Sequence, residues 1–187
     1  EHLRSMRVSQ HAVHMRAMTD VKSMPGVAAP LGFFDPLGFM ADASPSKQKF
    51  YREVELKHGR VAMLAAVGFP IAEHSYPMWG GEIDVPSYIA YDETPLAGPL
   101  GGVFLLPIFA AEILSLFTFN SPFGGELFST RTDYENGNLN WDPLGLKPTD
   151  PAALKEMKTK ELNNGRLAMI GIIGMIGQEM ATNNKLW

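Results

Sequence analysis

The sequence predicts an all-α membrane protein with three transmembrane helices, of which the first and third cross about a pseudo-twofold axis. Three observations lead to this prediction: long stretches with almost no charge, a motif that occurs twice, and an uneven distribution of charge between the connecting segments. A chain of 187 residues is long enough for one domain. We expect an N-terminal arm over residues 1–30 and a three-helix domain over residues 31–187.

The predicted helices lie at about 47–74, 96–119 and 152–181. In the first and third, an amphipathic segment continues into an apolar run rich in Gly and Ala. About 28 residues at ~1.5 Å each span ~40 Å, which is enough to cross a bilayer. No apolar run reaches the 18 residues of a clear membrane helix, so a soluble bundle of three buried helices is an alternative. The small residues favour the membrane, because they weaken a helix in water and allow close helix packing in lipid.

Charge predicts the orientation of these helices. Residues 75–94 carry four acidic side chains and no Lys or Arg, whereas the segments before the first and third helices are rich in lysine. Positive charge on the side of the N-terminus predicts three spans with the termini on opposite sides. The net charge of −4 argues against a nucleic-acid partner, and the lack of cysteine excludes disulfides and thiolate metal sites.

The repeated motif stands at the entrance to the first and third apolar runs. Glu55-Leu-Lys-His58-Gly-Arg60 recurs 106 positions later as Glu161-Leu-Asn-Asn164-Gly-Arg166. An earlier segment recurs at an offset of 107, namely Phe34-Asp35-Pro36-Leu37-Gly38 and Trp141-Asp142-Pro143-Leu144-Gly145. Asp-Pro followed by Leu-Gly predicts a tight turn, because Pro fixes φ and Gly can adopt a positive φ.

Helical geometry assigns the charged residues of the motif to a cross-helix clamp. At about 100° per residue, Arg60 lies about 140° from Glu55 and is poorly placed to pair with it. Two copies related by a twofold axis remove this difficulty, if Glu55 pairs with Arg166 and Glu161 pairs with Arg60. A purely structural clamp is therefore one interpretation of the motif.

The clamp leaves His58, Asn164 and Gln178 unexplained. Each offers a lone pair to a Lewis acid, but they are too far apart to converge on one ion. They are suited to several separate Mg²⁺ ions, each held by its own macrocycle and taking one axial ligand from the protein. A glutamate neutralised by arginine can act in the same way without leaving net charge in the membrane.

The doubled motif and the paired turns resemble the light-harvesting chlorophyll-binding protein family, over roughly residues 30–187. The Phe33-Phe34-Asp35-Pro36-Leu37-Gly38 segment and the short C-terminus resemble the chlorophyll a/c branch, the fucoxanthin– or peridinin–chlorophyll antennas of algae with secondary plastids. The resemblance implies three thylakoid helices with a stromal N-terminus. It implies chlorophyll Mg ligands at Glu55, His58, Glu112, Glu161, Asn164 and Gln178.

The resemblance also implies the other ligands and the partners. Carotenoids (peridinin, fucoxanthin or diadinoxanthin) would have their end groups near the turns Asp35–Gly38 and Asp142–Gly145, with chlorophyll a and chlorophyll c beside the helices. The partners would be a photosystem core, with photosystem I favoured, neighbouring antenna subunits and thylakoid lipids.

Pro70 and Pro107 are expected to interrupt the first and middle helices. His74 is a possible additional ligand, although an interfacial histidine that binds nothing is the simpler interpretation.

Three functions are consistent with these features. The first is an antenna that passes excitation to a photosystem. The second is a photoprotective or stress-response quencher of the same fold, because Glu73, His74 and the acidic loop face the side that acidifies in light. The third is a helical membrane interaction protein without pigment. An enzyme is not expected, because the sequence contains no nucleophile–base pair, converging metal cluster or phosphate-binding loop.

Overall fold

In the computed structural model, the regular secondary structure of the described residues consists of α-helices. It describes residues 21–79, 85–93, 99–116, 134–139 and 142–186. Residues 21–23 are helical. The helices that follow are α1 (Pro45–Trp79), α2 (Ser87–Glu93), α3 (Pro99–Leu116) and α4 (Pro151–Thr182).

Helices α1, α3 and α4 correspond to the predicted helices at 47–74, 96–119 and 152–181. Helix α1 extends five residues beyond its predicted end, to Trp79, and α3 is shorter than predicted within the described residues. Helix α2 was not predicted: seven residues in an acidic segment carry too little periodicity to be recognised as a helix. Trp141, in the second predicted turn, lies outside the described residues.

The two long helices begin at equivalent positions of the repeat. Asp150 caps α4, with its side chain accepting a hydrogen bond from the Ala153 amide at 2.9 Å, and Pro151 follows at the first helical position. Ser44 and Pro45 take the same places before α1, where Ser44 Oγ accepts from the Lys47 amide at 3.4 Å. Both satisfy amides that the helix leaves without partners. The repeat therefore includes the helix starts, at the same offset of 106.

Helices α1 and α4 cross at a pair of glycines. A Cβ added to Gly165 would lie 2.9 Å from the Cα of Gly59, and one added to Gly59 would lie 3.1 Å from the Cα of Gly165. Only residues without a side chain allow two helix backbones to come this close. These glycines are also 106 positions apart and stand between the histidine or asparagine and the arginine of each motif.

Pro70 and Pro107 do not interrupt their helices, contrary to the prediction. Helix α1 continues through Pro70 to Trp79, and α3 continues through Pro107 to Leu116. A proline removes one backbone hydrogen bond, and the neighbouring turns keep theirs. Among the residues that the structure describes, no helix combines the length with the apolar character that crossing a bilayer requires.

Candidate functional site

Both ion pairs of the predicted clamp are present between α1 and α4. Arg166 Nε lies 2.7 Å from Glu55 Oε1, and Arg60 Nε lies 2.8 Å from Glu161 Oε1. The glycine crossing lies between the two pairs along both helices. Each arginine therefore reaches past the crossing to the glutamate of the other copy, as the helical angles required.

Arg166 also binds the chain that leads into the first turn. Its Nη1 donates to the carbonyl oxygen of Gly26 at 2.7 Å. The amide of Gly26 donates in turn to Thr159 Oγ1 at 3.2 Å, so both backbone groups of this glycine are held by α4. Gly26 has φ +89°, which favours glycine, and a Cβ there would lie 2.8 Å from Leu162 Cδ1.

The second half contains the same arrangement. Arg60 Nη2 donates to the carbonyl oxygen of Gly137 at 2.9 Å, and the amide of Gly137 donates to Glu53 Oε2 at 2.9 Å. Glu53 occupies the position in α1 that Thr159 occupies in α4, 106 residues later. The other oxygen of Glu53 accepts from the hydroxyl of Tyr134 at 3.0 Å. Burial, followed by the nearby charge of Glu53, raises the pKa of Tyr134.

Sequence reasoning did not find these loop contacts. Gly26 and Gly137 are 111 residues apart, whereas the motifs are 106 apart, so the loops differ in length between glycine and turn. The sequence does contain a glycine before each Asp-Pro-Leu-Gly turn. The two glycines lie at different distances from their turns, so they do not stand out as part of the repeat. The structure adds Gly26, Gly137, Glu53 and Thr159 to the candidate site.

The two Asp-Pro-Leu-Gly segments form equivalent turns, as predicted. Asp35 accepts hydrogen bonds from the amides of Phe39, Met40 and Ala41 at 2.9–3.0 Å. Asp142 accepts from the amides of Leu146 and Lys147, both at 3.0 Å. The last residues of the turns, Gly38 and Gly145, have φ +71° and +64°. The amides of Lys147 and then Leu146 lower the pKa of Asp142, because they stabilise its charged form.

The two halves differ in the cation three residues before each glutamate. Arg52 Nη1 lies 2.6 Å from Glu55 Oε2, so Glu55 has an arginine at each oxygen. The equivalent Lys158 pairs with Glu135 in the loop and leaves Glu161 with Arg60 alone. Within the described part of the chain, Arg52 Nε is buried and has no hydrogen-bond partner. The Glu55 site therefore has one excess positive charge, and the Glu161 site is neutral.

The imidazole of His58 is oriented by a hydrogen bond within its own helix. Its Nδ1 lies 2.8 Å from the carbonyl oxygen of Val54, one turn earlier in α1. A carbonyl only accepts, so Nδ1 carries the proton, and in the neutral imidazole Nε2 keeps its lone pair. The side chain is exposed on the surface of α1. This hydrogen bond fixes the tautomer and the ring orientation, as is common for metal-binding histidines.

Asn164 and Gln178 present donor atoms on the exposed face of α4. Both side chains are exposed and make no hydrogen bond with any residue in the described ranges. Among the same residues, Glu161 Oε2 accepts no hydrogen bond, while Oε1 is held by Arg60. These atoms therefore fit the donor set of several single-ligand magnesium sites. No group of three or more His, Cys, Asp or Glu in the described residues could hold a metal ion together.

Glu112 is the remaining predicted ligand. It lies on the exposed side of α3 and is paired with Lys57 of α1, with 2.9 Å between Nζ and Oε2. The sequence did not predict this pair. His74 is exposed near the far end of α1, where Glu73 is buried and accepts a hydrogen bond from the Leu186 amide at 3.0 Å.

Two open clefts flank the crossing, one beside each turn. The first, of about 820 Å³, lies between the 26–40 loop and the Glu55–Arg166 pair and includes Phe34 and Asn163. The second, of about 980 Å³, lies between residues 134–139 and 142–147 on one side and the Glu161–Arg60 pair on the other. Clefts of this size with mostly apolar linings suit elongated apolar ligands. Their equivalent positions follow from the repeat.

Comparison with known sequences identifies the family. The family described as chlorophyll A-B binding protein matches residues 21–180, which contain both motifs and both turns. The chain belongs to this family. Its members are pigment-binding antenna proteins rather than a class of enzyme.

Several relatives within the chlorophyll-binding family are similar over most of the chain. Light-harvesting complex stress-related protein 3.2 of Chlamydomonas reinhardtii, a chloroplastic protein, is 43% identical over 89% of this chain and 66% of its own length. The chain thus spans just under two thirds of that relative. A fucoxanthin-chlorophyll a-c binding protein of Isochrysis galbana is 38% identical over 88% of this chain and 79% of its own length. A fucoxanthin-chlorophyll a-c binding protein of Chattonella marina var. antiqua is 35% identical over 95% of this chain and 78% of its own length.

Proposed function

We propose that the protein is a light-harvesting antenna that holds chlorophyll a, chlorophyll c and carotenoids in the plastid thylakoid membrane and passes excitation to a photosystem. We infer that α1, α3 and α4 cross the membrane with the N-terminus in the stroma, because the chain belongs to the chlorophyll-binding family and lysine-rich segments begin α1 and α4. One observation carries the proposal: glutamates neutralised by arginines of the other helix lie beside exposed neutral donors on the same helix.

Each proposed chlorophyll is held by one side chain. His58 offers Nε2, Asn164 and Gln178 offer their amide oxygens, and Glu161 offers Oε2. Glu55 has an arginine at each oxygen, but each carboxylate oxygen has a second lone pair that can still bind a metal. Magnesium in chlorophyll accepts one such axial ligand, and the protein thereby sets the separation and orientation of the pigments.

The carotenoids are assigned to the two clefts. Each cleft has an apolar wall and ends at an Asp-Pro-Leu-Gly turn, Asp35–Gly38 or Asp142–Gly145. The names of the relatives support chlorophyll a, chlorophyll c and a xanthophyll of the fucoxanthin kind, because two of them are fucoxanthin-chlorophyll a-c binding proteins.

The test is reconstitution of the full chain with a pigment extract of a chlorophyll a/c alga. We expect a stable complex with red and blue chlorophyll bands, and excitation of chlorophyll c or carotenoid that produces chlorophyll a fluorescence. A chain that binds no chlorophyll refutes the proposal. Co-purification with photosystem I rather than photosystem II, from an alga that expresses a tagged chain, tests the choice of photosystem.

A photoprotective quencher is the second candidate. It is favoured by the 43% identity to the stress-related protein and by a carboxylate pair at the end of the bundle away from the turns. Glu179 is fully buried and accepts from the amides of Ser87 and Tyr88, and Glu73 lies beside it. Fluorescence lifetimes at neutral and acidic pH separate the candidates: shortening on acidification supports the quencher, and an unchanged lifetime supports the antenna.

A further inference from the structure

Helix α3 contains a single charged residue and no cation. Its sequence, Pro99 to Leu116, has Glu112 as the one ionisable side chain among apolar and small residues. A carboxylate in such a segment is costly in a membrane unless a partner neutralises it. Glu55 and Glu161 each have an arginine partner on the other long helix, and a cation for Glu112 must likewise come from outside α3.

Lys57 of α1 provides that cation. Its Nζ lies 2.9 Å from Glu112 Oε2 and 2.8 Å from Ser115 Oγ. Ser115 is buried, and its hydroxyl donates to the carbonyl oxygen of Glu112 at 2.7 Å. The ammonium therefore has two oxygen acceptors one turn apart on α3.

The position of Lys57 connects two of the proposed pigment sites. It immediately precedes His58 in α1, so one turn of this helix carries both a proposed ligand and the cation of a proposed ligand on another helix. Glu112 Oε1 accepts no hydrogen bond from a described residue and can face a ligand while Oε2 holds Lys57. The Lys57–Glu112 contact therefore joins the two proposed sites directly.

We propose that Lys57 is a positioning residue: it neutralises Glu112, so that this carboxylate can hold a chlorophyll on a helix without cations, and it sets the separation of α3 from His58. The inference rests on the proposed function. It concerns one residue that the repeated motif does not explain, because the equivalent position in α4 is Asn163.

The test uses a charge rescue in the full chain refolded with pigments. Lys57→Met should lose about one chlorophyll per chain, because it strands the charge of Glu112. Lys57→Arg should keep it. The double variant Lys57→Met/Glu112→Gln should regain it, because a neutral amide can ligate without a cation.

A second readout does not depend on the pigments. The chain has no cysteine, so spin labels at Val61→Cys on α1 and Ile108→Cys on α3, both exposed, report the distance between these helices. Lys57→Met should broaden this distance distribution, and Lys57→Arg should restore a single narrow peak.

The outcomes separate the two proposals. A wild-type chain that binds no chlorophyll overturns the proposed function. If the wild type binds chlorophyll, the Lys57 inference alone is overturned when Lys57→Met matches it in both readouts, or when Glu112→Leu loses no chlorophyll. It is also overturned when the double variant stays as depleted as Lys57→Met, since Lys57 would then act by packing.

Discussion

Replacing Gly165 by alanine tests the crossing of α1 and α4 most directly. The new Cβ would lie 2.9 Å from the Cα of Gly59. Carbon atoms prefer separations of about 3.5–4.0 Å, so the helices must separate by at least about 0.6 Å, the difference between 3.5 and 2.9 Å. The contacting atom is backbone and cannot turn aside. Overpacking of this kind costs about 1–3 kcal/mol.

Alanine also favours the helix intrinsically, by about 1 kcal/mol over glycine, so a matched control is needed. Gly171 lies in the same helix, and a Cβ there would meet no atom of the described residues within 4 Å. Gly171→Ala gains the helix propensity of alanine without the steric clash. The difference in stability between the two variants therefore measures the cost of the clash at the helix crossing. We expect Gly165→Ala to be less stable than Gly171→Ala by about 1–3 kcal/mol, or about 2–12 °C in midpoint for a chain of this size.

Thermal unfolding in detergent, followed by far-ultraviolet circular dichroism, measures this difference. Gly59→Ala should fall between the two variants, because its Cβ would have 3.1 Å to the Cα of Gly165 rather than 2.9 Å. Equal midpoints for Gly165→Ala and Gly171→Ala would show that the close approach does not limit packing, and the crossing described above would be wrong.

Three further predictions concern the ion pairs and the donors. His58→Leu should lose about one chlorophyll with little change in helix content, measured by pigment analysis and circular dichroism of the refolded complex. Arg166→Leu should instead lower the yield of assembled complex on a sucrose gradient, because it removes one partner of Glu55; equal, mild effects of both changes would contradict this division of roles. Acid should weaken the loop contact between Glu135 and Lys158. The Lys158 ammonium lowers the pKa of Glu135. The contact therefore contributes its full stability above the ordinary carboxyl pKa of about 4.3, and this contribution is lost as the pH falls through the lowered pKa. Stability measured from about pH 6 to about pH 3 should therefore fall less in Lys158→Met than in the wild type.

The sequence could predict those parts of the site that depend on a constant spacing. The pairs Glu55–Arg166 and Glu161–Arg60 follow from helical angles and from the offset of 106, and both turns follow from Asp-Pro-Leu-Gly. Such features are local or repeated, so periodicity and turn chemistry determine them. The ligand assignments at His58, Asn164 and Gln178 stay predictions, because a donor without its ligand is defined only by exposure and geometry.

The remaining contacts join residues far apart in the chain without a repeated signal. Lys57 and Glu112 are 55 residues apart, and nothing in either segment indicates the other. Gly26 and Gly137 differ in their distance from the turns, which hid their equivalence. Helix α2 is too short for periodicity, and its first amides are held by Glu179 from 92 and 91 residues away. Tertiary contacts of this kind override local pattern.

The unequal cations at Arg52 and Lys158 make the two glutamates unequally dependent on the pairing of the long helices. Glu55 has a cationic partner within its own helix, because Arg52 lies one turn before it in α1. Glu161 is paired with Arg60 of α1, while Lys158 binds Glu135 in the loop. Separation of α1 from α4 would therefore leave Glu55 with one cation at 2.6 Å and would take from Glu161 the cation that it has in the described structure.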